Sequence, residues 1–209
     1  GLFFLVALLF TIISNGIPAF TQTFITLDVT LEEKRIDKTG ERDLAKIRKV
    51  TTFGYTPLLE AAIKTEIEEE GMTTEITKGG DLRKMLSSGS VGQMRAFVIE
   101  NPDKIGETVE FTFVASSRVD GYLKGRVSRE SLARDRNLSP EHLDLVDQMI
   151  ETGSIERKFN WAFITGADAS DSRPEQAGIG VSMLGSLFMM FVVLGLSLPI
   201  GVAASNYLE

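Results

Sequence analysis

The chain has 209 residues, of which 29 are acidic and 22 basic, and its formal net charge at neutral pH is −7. A nucleic-acid-binding protein needs a basic surface, so this balance argues against a nucleic-acid partner. The absence of cysteine excludes disulfides, thiolate metal sites and cysteine nucleophiles. The charges are confined to the middle of the chain, since the first is Asp28 and only Glu209 follows Glu175. Both ends are therefore candidates for contact with a membrane.

The sequence opens on an apolar stretch, GLFFLVALLFTII, which ends at Ser14-Asn15-Gly16-Ile17-Pro18. A helix needs about 20 apolar residues to cross the hydrocarbon core, so residues 1–20 are predicted to form a transmembrane helix. A signal peptide has a shorter apolar core that also ends at small residues, and it stays open as the alternative. Because the first residue is glycine, we expect the chain to be a fragment of a longer protein.

Residues 21–175 hold nearly all the charge and are predicted to form one α+β domain. Alternation of apolar and polar residues predicts three strands, at residues 20–31, 107–115 and 155–164. The third would place Phe159, Trp161 and Phe163 on one face. Capping residues predict three helices, which begin at Thr56-Pro57, at a capping box over Ser90–Gln93, and at Ser139-Pro140. The small, polar stretch 165–178 is predicted to be a linker.

No motif in this middle domain predicts an enzyme, a cofactor site or a metal site. The only histidine, His142, is expected to be an exposed surface residue. The glycines of TKGGD, residues 77–81, lack the spacing of a phosphate-binding loop. Six cations within 19 residues form a basic cluster, and its members are Arg118, Lys124, Arg126, Arg129, Arg134 and Arg136. The cluster suits an acidic partner, but a mixed-charge surface explains it equally well.

The last 34 residues, 176–209, form the second apolar segment. The run from Gln176 to Leu208 carries no formal charge over 33 residues and is predicted to form a membrane helix. Small residues recur at spacings of four, which favours close helix packing; they are Gly178, Ser182, Ser186, Ser197, Gly201 and Ser205. Pro199 removes a backbone donor, a break that a helix tolerates where its neighbours satisfy the freed carbonyl. We therefore predict a kinked helix within a larger bundle.

The stretch GSLFMMFVVLGLSLPIGVAASNYLE resembles the start of the permease core of the PstA family, the phosphate ABC transporter permeases. The matching residues are Gly185, Ser186, Pro199, Ile200, Gly201, Val202, Tyr207, Leu208 and Glu209. Residues 14–23, 86–90 and 157–168 also resemble a domain of unknown function inserted near the N-terminus of some members. Asn206 departs from the family pattern, and the cytoplasmic coupling loop with its Glu-Ala-Ala motif is absent.

The resemblance implies a multi-pass permease subunit in the cytoplasmic (inner) membrane of a bacterium, with residues 21–175 periplasmic. It implies that the second helix begins a MetI-like type I permease core. It also implies three partners, namely a PstC-like permease subunit, a PstB-like ATPase and a PstS-like phosphate-binding protein. Arg126 and Arg129 are the residues expected to contact such a partner, and no phosphate-contacting residue carries over.

The order of helix, domain and helix leaves two other functions open. One is a two-helix membrane receptor with an extracytoplasmic sensor domain. The other is a secreted or anchored binding domain, in which residues 21–175 alone bind a ligand.

Overall fold

The computed structural model describes residues 1–167, 175 and 177–208. Most of the predicted linker lies outside the described residues, and so does Glu209 of the PstA-like stretch. Of the domain boundary predicted at 175–176, only residue 175 is described. The chain divides into two compact units, Gly1–Phe159 and Asn160–Glu209, and each is described by itself.

The first unit begins with an apolar helix that runs directly into the sheet. Helix α1 spans Leu2–Gly16, and a 3₁₀ turn over Ile17–Phe20 continues it. Strand β1, Thr21–Thr30, starts at the next residue. No linker therefore separates the helix from the body of the unit.

Strand β1 is the centre of a three-stranded antiparallel sheet in the order β2-β1-β3. Its neighbours are β2, Thr108–Val114, and β3, Ile155–Phe159. Alternate residues of β1, Ile25, Leu27 and Val29, are buried against the core, whereas Asp28 on the other face is exposed. This alternation is the predicted one, because successive side chains of a strand point to opposite faces.

Eight helices of the first unit complete the body. They are α2 Glu33–Ile36, α3 Leu44–Ile47, α4 Thr52–Glu69, α5 Gly79–Leu82, α6 Ser90–Glu100, α7 Ser117–Leu123, α8 Arg129–Leu132 and α9 Pro140–Glu151, with 3₁₀ turns at Arg83–Met85 and Pro102–Lys104. The longest, α4, packs its apolar stripe on β1, and Leu59 and Ile63 are almost fully buried there. Burial of a side chain of this size stabilises a fold by about 1.5–3 kcal/mol.

One predicted helix start is wrong, and one predicted capping box is absent. Helix α4 begins at Thr52, so Pro57 lies inside it; the hydrogen bond that Pro57 cannot donate would have gone to Phe53, a residue in the exposed first turn. Helix α6 begins at Ser90, as predicted, but the capping box is absent. Gly89 is the N-cap residue, and the side-chain amide of Gln93 donates to the carbonyl of Thr112 on β2 at 3.0 Å. The prediction for α9 is confirmed, with Ser139 as its capping residue.

The third predicted strand is wrong beyond Phe159. The Asn160 side chain accepts a hydrogen bond from the amide of Phe163 at 3.0 Å and starts a short helix, α10, over Trp161–Thr165. Trp161 and Phe163 therefore belong to a helix and not to a strand face. The second unit continues with the long apolar helix α11, Gly180–Leu208.

Candidate functional site

Two helices are long and apolar enough to cross a membrane, over Leu2–Phe20 and Gly180–Tyr207. No residue of α1 is buried, and every residue from Val181 to Tyr207 is exposed. Helix α11 has 29 residues, which corresponds to a length of about 43 Å, against a hydrocarbon core of about 30 Å. The described chain thus leaves both apolar surfaces without protein cover.

A polar clamp holds the residues that follow α1. The Asp120 carboxylate on α7 accepts hydrogen bonds from the Thr23 amide at 3.0 Å and from the Thr23 hydroxyl at 2.9 Å. The Lys124 ammonium lies 2.6 Å from the other Asp120 oxygen and donates to the carbonyl of Thr21 at 2.7 Å. The Lys124 side chain is only 6% exposed, so this ion pair is largely removed from solvent. We call Asp120, Lys124, Thr21 and Thr23 the exit clamp.

Glycines hold the residues that precede α11. The Ile179 amide donates to the Phe163 carbonyl at 2.7 Å, and the Gly180 amide donates to the Gly166 carbonyl at 2.9 Å. A Cβ atom on Gly178 would lie 2.5 Å from the carbonyl carbon of Gly166, and one on Gly180 would lie 2.7 Å from the Ile164 carbonyl oxygen. The two backbone segments approach this closely because neither glycine has a side chain. We call Gly166, Gly178 and Gly180 the glycine contact.

The residues predicted for helix packing lie along exposed α11. Ser182, Ser186, Ser197, Gly201 and Ser205 are all exposed to solvent. At 3.6 residues per turn, Ser186 and Ser197 point in directions only about 20° apart, so the small residues continue along one side. Their role in packing stays a prediction.

Pro199 lies within the continuous helix and cannot donate to the carbonyl of Gly195, one turn earlier. In the same turn, the Ser197 hydroxyl donates to the Val193 carbonyl at 2.6 Å. The helix is therefore short of one backbone hydrogen bond at this point. The proposed functional kink stays a prediction.

The structure divides the basic cluster into paired and unpaired residues. The Arg129 guanidinium lies 2.6 Å from Asp144 and 2.7 Å from Asp147, and it also donates to the Tyr122 hydroxyl at 2.9 Å. These bonds raise the pKa of Arg129 above its already high ordinary value. Within the described ranges, Arg126 forms no ion pair, and it is exposed. Of the two predicted partner contacts, Arg126 is thus the one whose charge no described carboxylate compensates.

The prediction that His142 is an exposed surface residue is wrong. The residue is 5% exposed, and its Nδ1 lies 3.1 Å from the backbone nitrogen of Ser139, which donates to it at the start of α9. Its Nε2 lies 3.1 Å from the Asp81 carbonyl oxygen. The ring borders a recess of about 350 Å³ that also contacts Lys78 and Arg136. Because both ring nitrogens have protein partners, His142 joins α9 to α5.

One family model matches the chain, and it is described as a domain of unknown function, DUF3333. It covers residues 1–133, which is more than half of the sequence. The chain belongs to the DUF3333 family. No curated protein and no solved structure matches.

The DUF3333 match contains α1, the exit clamp, β1 and β2, and it ends one residue after α8. Strand β3 and the whole second unit lie beyond it. Within the part of the chain that the structure describes, no group of three or more metal-ligating side chains is placed to hold an ion.

Sequence reasoning missed both of the structures that hold the apolar helices. Thr23 and Asp120 are separated by 97 residues, so no local pattern connects them. Gly166 and Gly178 were included in the predicted linker, and Gly178 was also counted among the small residues expected to favour helix packing. Gly180 was placed in the second apolar segment. These glycines carry only a weak signal, since a residue without a side chain allows close approach of two backbone segments but does not show which segments meet.

Proposed function

We propose that this DUF3333 chain is the N-terminal part of a permease subunit of an ATP-driven phosphate importer in a bacterial inner membrane. In this proposal α1 and α11 are membrane spans, and residues 21–175 are periplasmic. The observation that carries it is the pair of apolar helices with exposed side chains that flank, in sequence, a charged and well-packed α+β body. Water is a poor environment for surfaces of that size, whereas lipid or other membrane helices cover them.

The residues of α11 support a permease in preference to a simple anchor. The span carries Pro199 and a side of small residues, and both are favourable where further helices pack against it. The match of Gly185, Ser186, Pro199 and the residues that follow to the PstA pattern supplies the phosphate assignment. In this proposal α11 begins the MetI-like core.

The proposal makes the chain a transport subunit and not an enzyme. ATP hydrolysis would belong to a separate PstB-like ATPase, and the pathway would be shared with a PstC-like subunit. A PstS-like protein would deliver phosphate to the periplasmic side. Alternating access then requires groups of membrane helices that move as rigid bodies relative to one another, and α11 would belong to one such group.

Phosphate uptake tests this proposal directly. Deletion of the full-length gene in its source organism should abolish high-affinity uptake of radiolabelled phosphate in phosphate-starved cells, and the intact gene should restore it. Pro199→Ala should reduce uptake while membrane insertion stays normal, and the neighbouring variant Leu198→Ala serves as the matched control. Unchanged uptake in the deletion strain would refute the phosphate assignment, and normal uptake by Pro199→Ala would refute a required kink.

The direct join between α1 and β1 supports a second candidate, a two-helix receptor with an extracytoplasmic sensor domain. A sheet fixed to a span by the exit clamp could pass a movement of the domain to the other side of the membrane. The gene sequence after residue 209 separates the two functions. Further apolar spans with a Glu-Ala-Ala loop favour the permease, whereas a signalling helix favours the receptor.

A further inference from the structure

The first unit carries an exposed basic and aromatic surface where α1 enters the sheet. We propose that Arg126 and Arg157, together with the stacked rings of Phe20 and Phe159, bind the phosphate headgroups of anionic lipids. We call these four residues the headgroup surface. The inference rests on the proposed function, because it requires α1 to be a membrane span.

The contacts of the exit clamp place this surface at the level of the bilayer interface. Phe20 is the last residue of the candidate span Leu2–Phe20, so the Thr21 carbonyl lies just outside the hydrocarbon core. Lys124 donates to that carbonyl at 2.7 Å. The headgroup region on one side of a bilayer is about 5–8 Å thick, so groups near Lys124 lie within it.

Hydrogen bonds hold both arginine residues close to Lys124. The Arg157 guanidinium donates to the carbonyl of Leu123, the preceding residue, at 3.3 Å. Arg126 follows Lys124 by two residues, and its amide donates to the Gly121 carbonyl at 2.7 Å in the turn that ends α7. The turn requires Gly125, whose φ is +71°. The fold therefore brings two cations 31 positions apart to the same end of the sheet.

No described carboxylate neutralises the charge of these two arginines. Lys124 is paired with Asp120, and nearby Lys158 is paired with Glu156. Arg126 and Arg157 are both exposed, and neither forms an ion pair with any described carboxylate. A planar guanidinium matches the geometry of a phosphate group, which makes arginine suited to lipid headgroups.

The aromatic pair gives this surface its apolar part. The rings of Phe20 and Phe159 stack with centroids 6.4 Å apart and planes at 16°. Phe20 is 38% exposed and Phe159 is 47% exposed, although both are large and apolar. Exposed aromatic rings next to cations are typical of surfaces that lie at the boundary of headgroups and acyl chains.

Lipid titration of the full chain tests the inference. The chain is held in neutral detergent micelles and titrated with short-chain phosphatidylglycerol, with phosphatidylcholine of equal chain length, and with inorganic phosphate. Hydrogen exchange of the amides at 121–127 and 155–159 gives the apparent affinity. We expect phosphatidylglycerol to protect these amides at lower concentration than either of the other two. Each arginine near a charged membrane surface contributes about a fivefold increase in affinity, so Arg126→Gln with Arg157→Gln should weaken binding about 25-fold.

Two variants control for loss of structure and of charge. The double variant Arg126→Lys with Arg157→Lys keeps both charges and should retain most of the preference for phosphatidylglycerol. Lys34→Gln removes an exposed cation just past the far end of β1, about 30 Å from the headgroup surface. This variant should leave the affinity for each lipid unchanged. Equal binding of the two lipids, a phosphate affinity equal to that of phosphatidylglycerol, or an equal loss in Lys34→Gln would each overturn the inference.

Extraction of membranes with alkaline carbonate separates the two proposals. A chain that resists extraction but shows no preference for anionic lipid refutes only the headgroup surface. A chain that is extracted like a peripheral protein refutes the membrane spans, and the headgroup surface with them.

Discussion

The two apolar helices are held at their body-side ends by opposite means. At the end of α1, charged and hydroxyl side chains converge on the backbone of Thr21 and Thr23 around a sheltered ion pair. At the start of α11, two backbone segments meet directly because Gly166, Gly178 and Gly180 have no side chains. The first join depends on which groups are present, and the second depends on which groups are missing.

This difference predicts how each join fails. The exit clamp should be sensitive to the removal of one charge, since the remaining charge would be left without a partner in a sheltered site. The glycine contact should be insensitive to charge and sensitive to the addition of a single methyl group. The following variants test the contrast.

Asp120→Ala should have the largest effect. It removes the counter-ion of Lys124 and two hydrogen bonds to Thr23, and we expect the free energy of unfolding of the first unit to fall by about 3–5 kcal/mol. Hydrogen exchange of the β1 amides in the full chain measures the change. Asp28→Asn on the same strand is the control, because Asp28 lies opposite Glu110 and removal of like-charge repulsion should not destabilise the sheet. A loss below about 1 kcal/mol in Asp120→Ala would show that the clamp is not a strong constraint.

Gly178→Ala should have the next largest effect, confined to the second unit. The new Cβ would lie 2.5 Å from the Gly166 carbonyl carbon, so the backbone segments must separate, at a cost of about 1–3 kcal/mol. The amides of Ile179 and Gly180 should then exchange hydrogen between about 5-fold and 150-fold faster. Gly185→Ala is the matched control, because no atom lies within 4 Å of its Cβ position. Similar exchange in the two variants would contradict the proposed contact.

Arg129→Gln should have a smaller effect, because the ion pairs of Arg129 with Asp144 and Asp147 are exposed to solvent. We expect a small loss of stability in the first unit, well below that of Asp120→Ala, and high salt should reduce it. Urea unfolding at low and high salt measures it. Arg126→Gln should leave stability unchanged, so equal losses in the two variants would count against the assignment of Arg129 to a structural network.

Acid should produce the smallest effect, and only in the first unit. The hydrogen bond from Arg118, followed by that from the Asn137 amide, holds the pKa of Asp135 below its ordinary value. Its contribution to stability is therefore complete above about pH 4 and is lost as the pH falls through the lower folded pKa. Asp135→Asn should flatten this part of the pH dependence. Protection of Ile179 and Gly180, corrected for intrinsic exchange, should not change over the same range; a parallel loss there would contradict a charge-independent glycine contact.

The residue order alone was enough to predict the local features of this protein. The two apolar helices, the strands β1 and β2, and helix α9 were correctly predicted from runs and periods within about 20 residues. These patterns are local: the order of apolar and polar residues within one helix or strand indicates which of its faces avoids water. The same reasoning led to an α+β body between two apolar ends.

Only the tertiary structure decided what the charged and polar residues do. His142 is buried because Ser139 and the distant Asp81 carbonyl both bind its ring, and Arg129 is neutralised by carboxylates on α9. Asp120 contacts Thr23, which is 97 residues away in sequence, and Gly178 contacts the backbone of Gly166. A hydrogen bond or an ion pair depends on distances of about 3 Å between atoms, and the folding of the whole chain sets those distances.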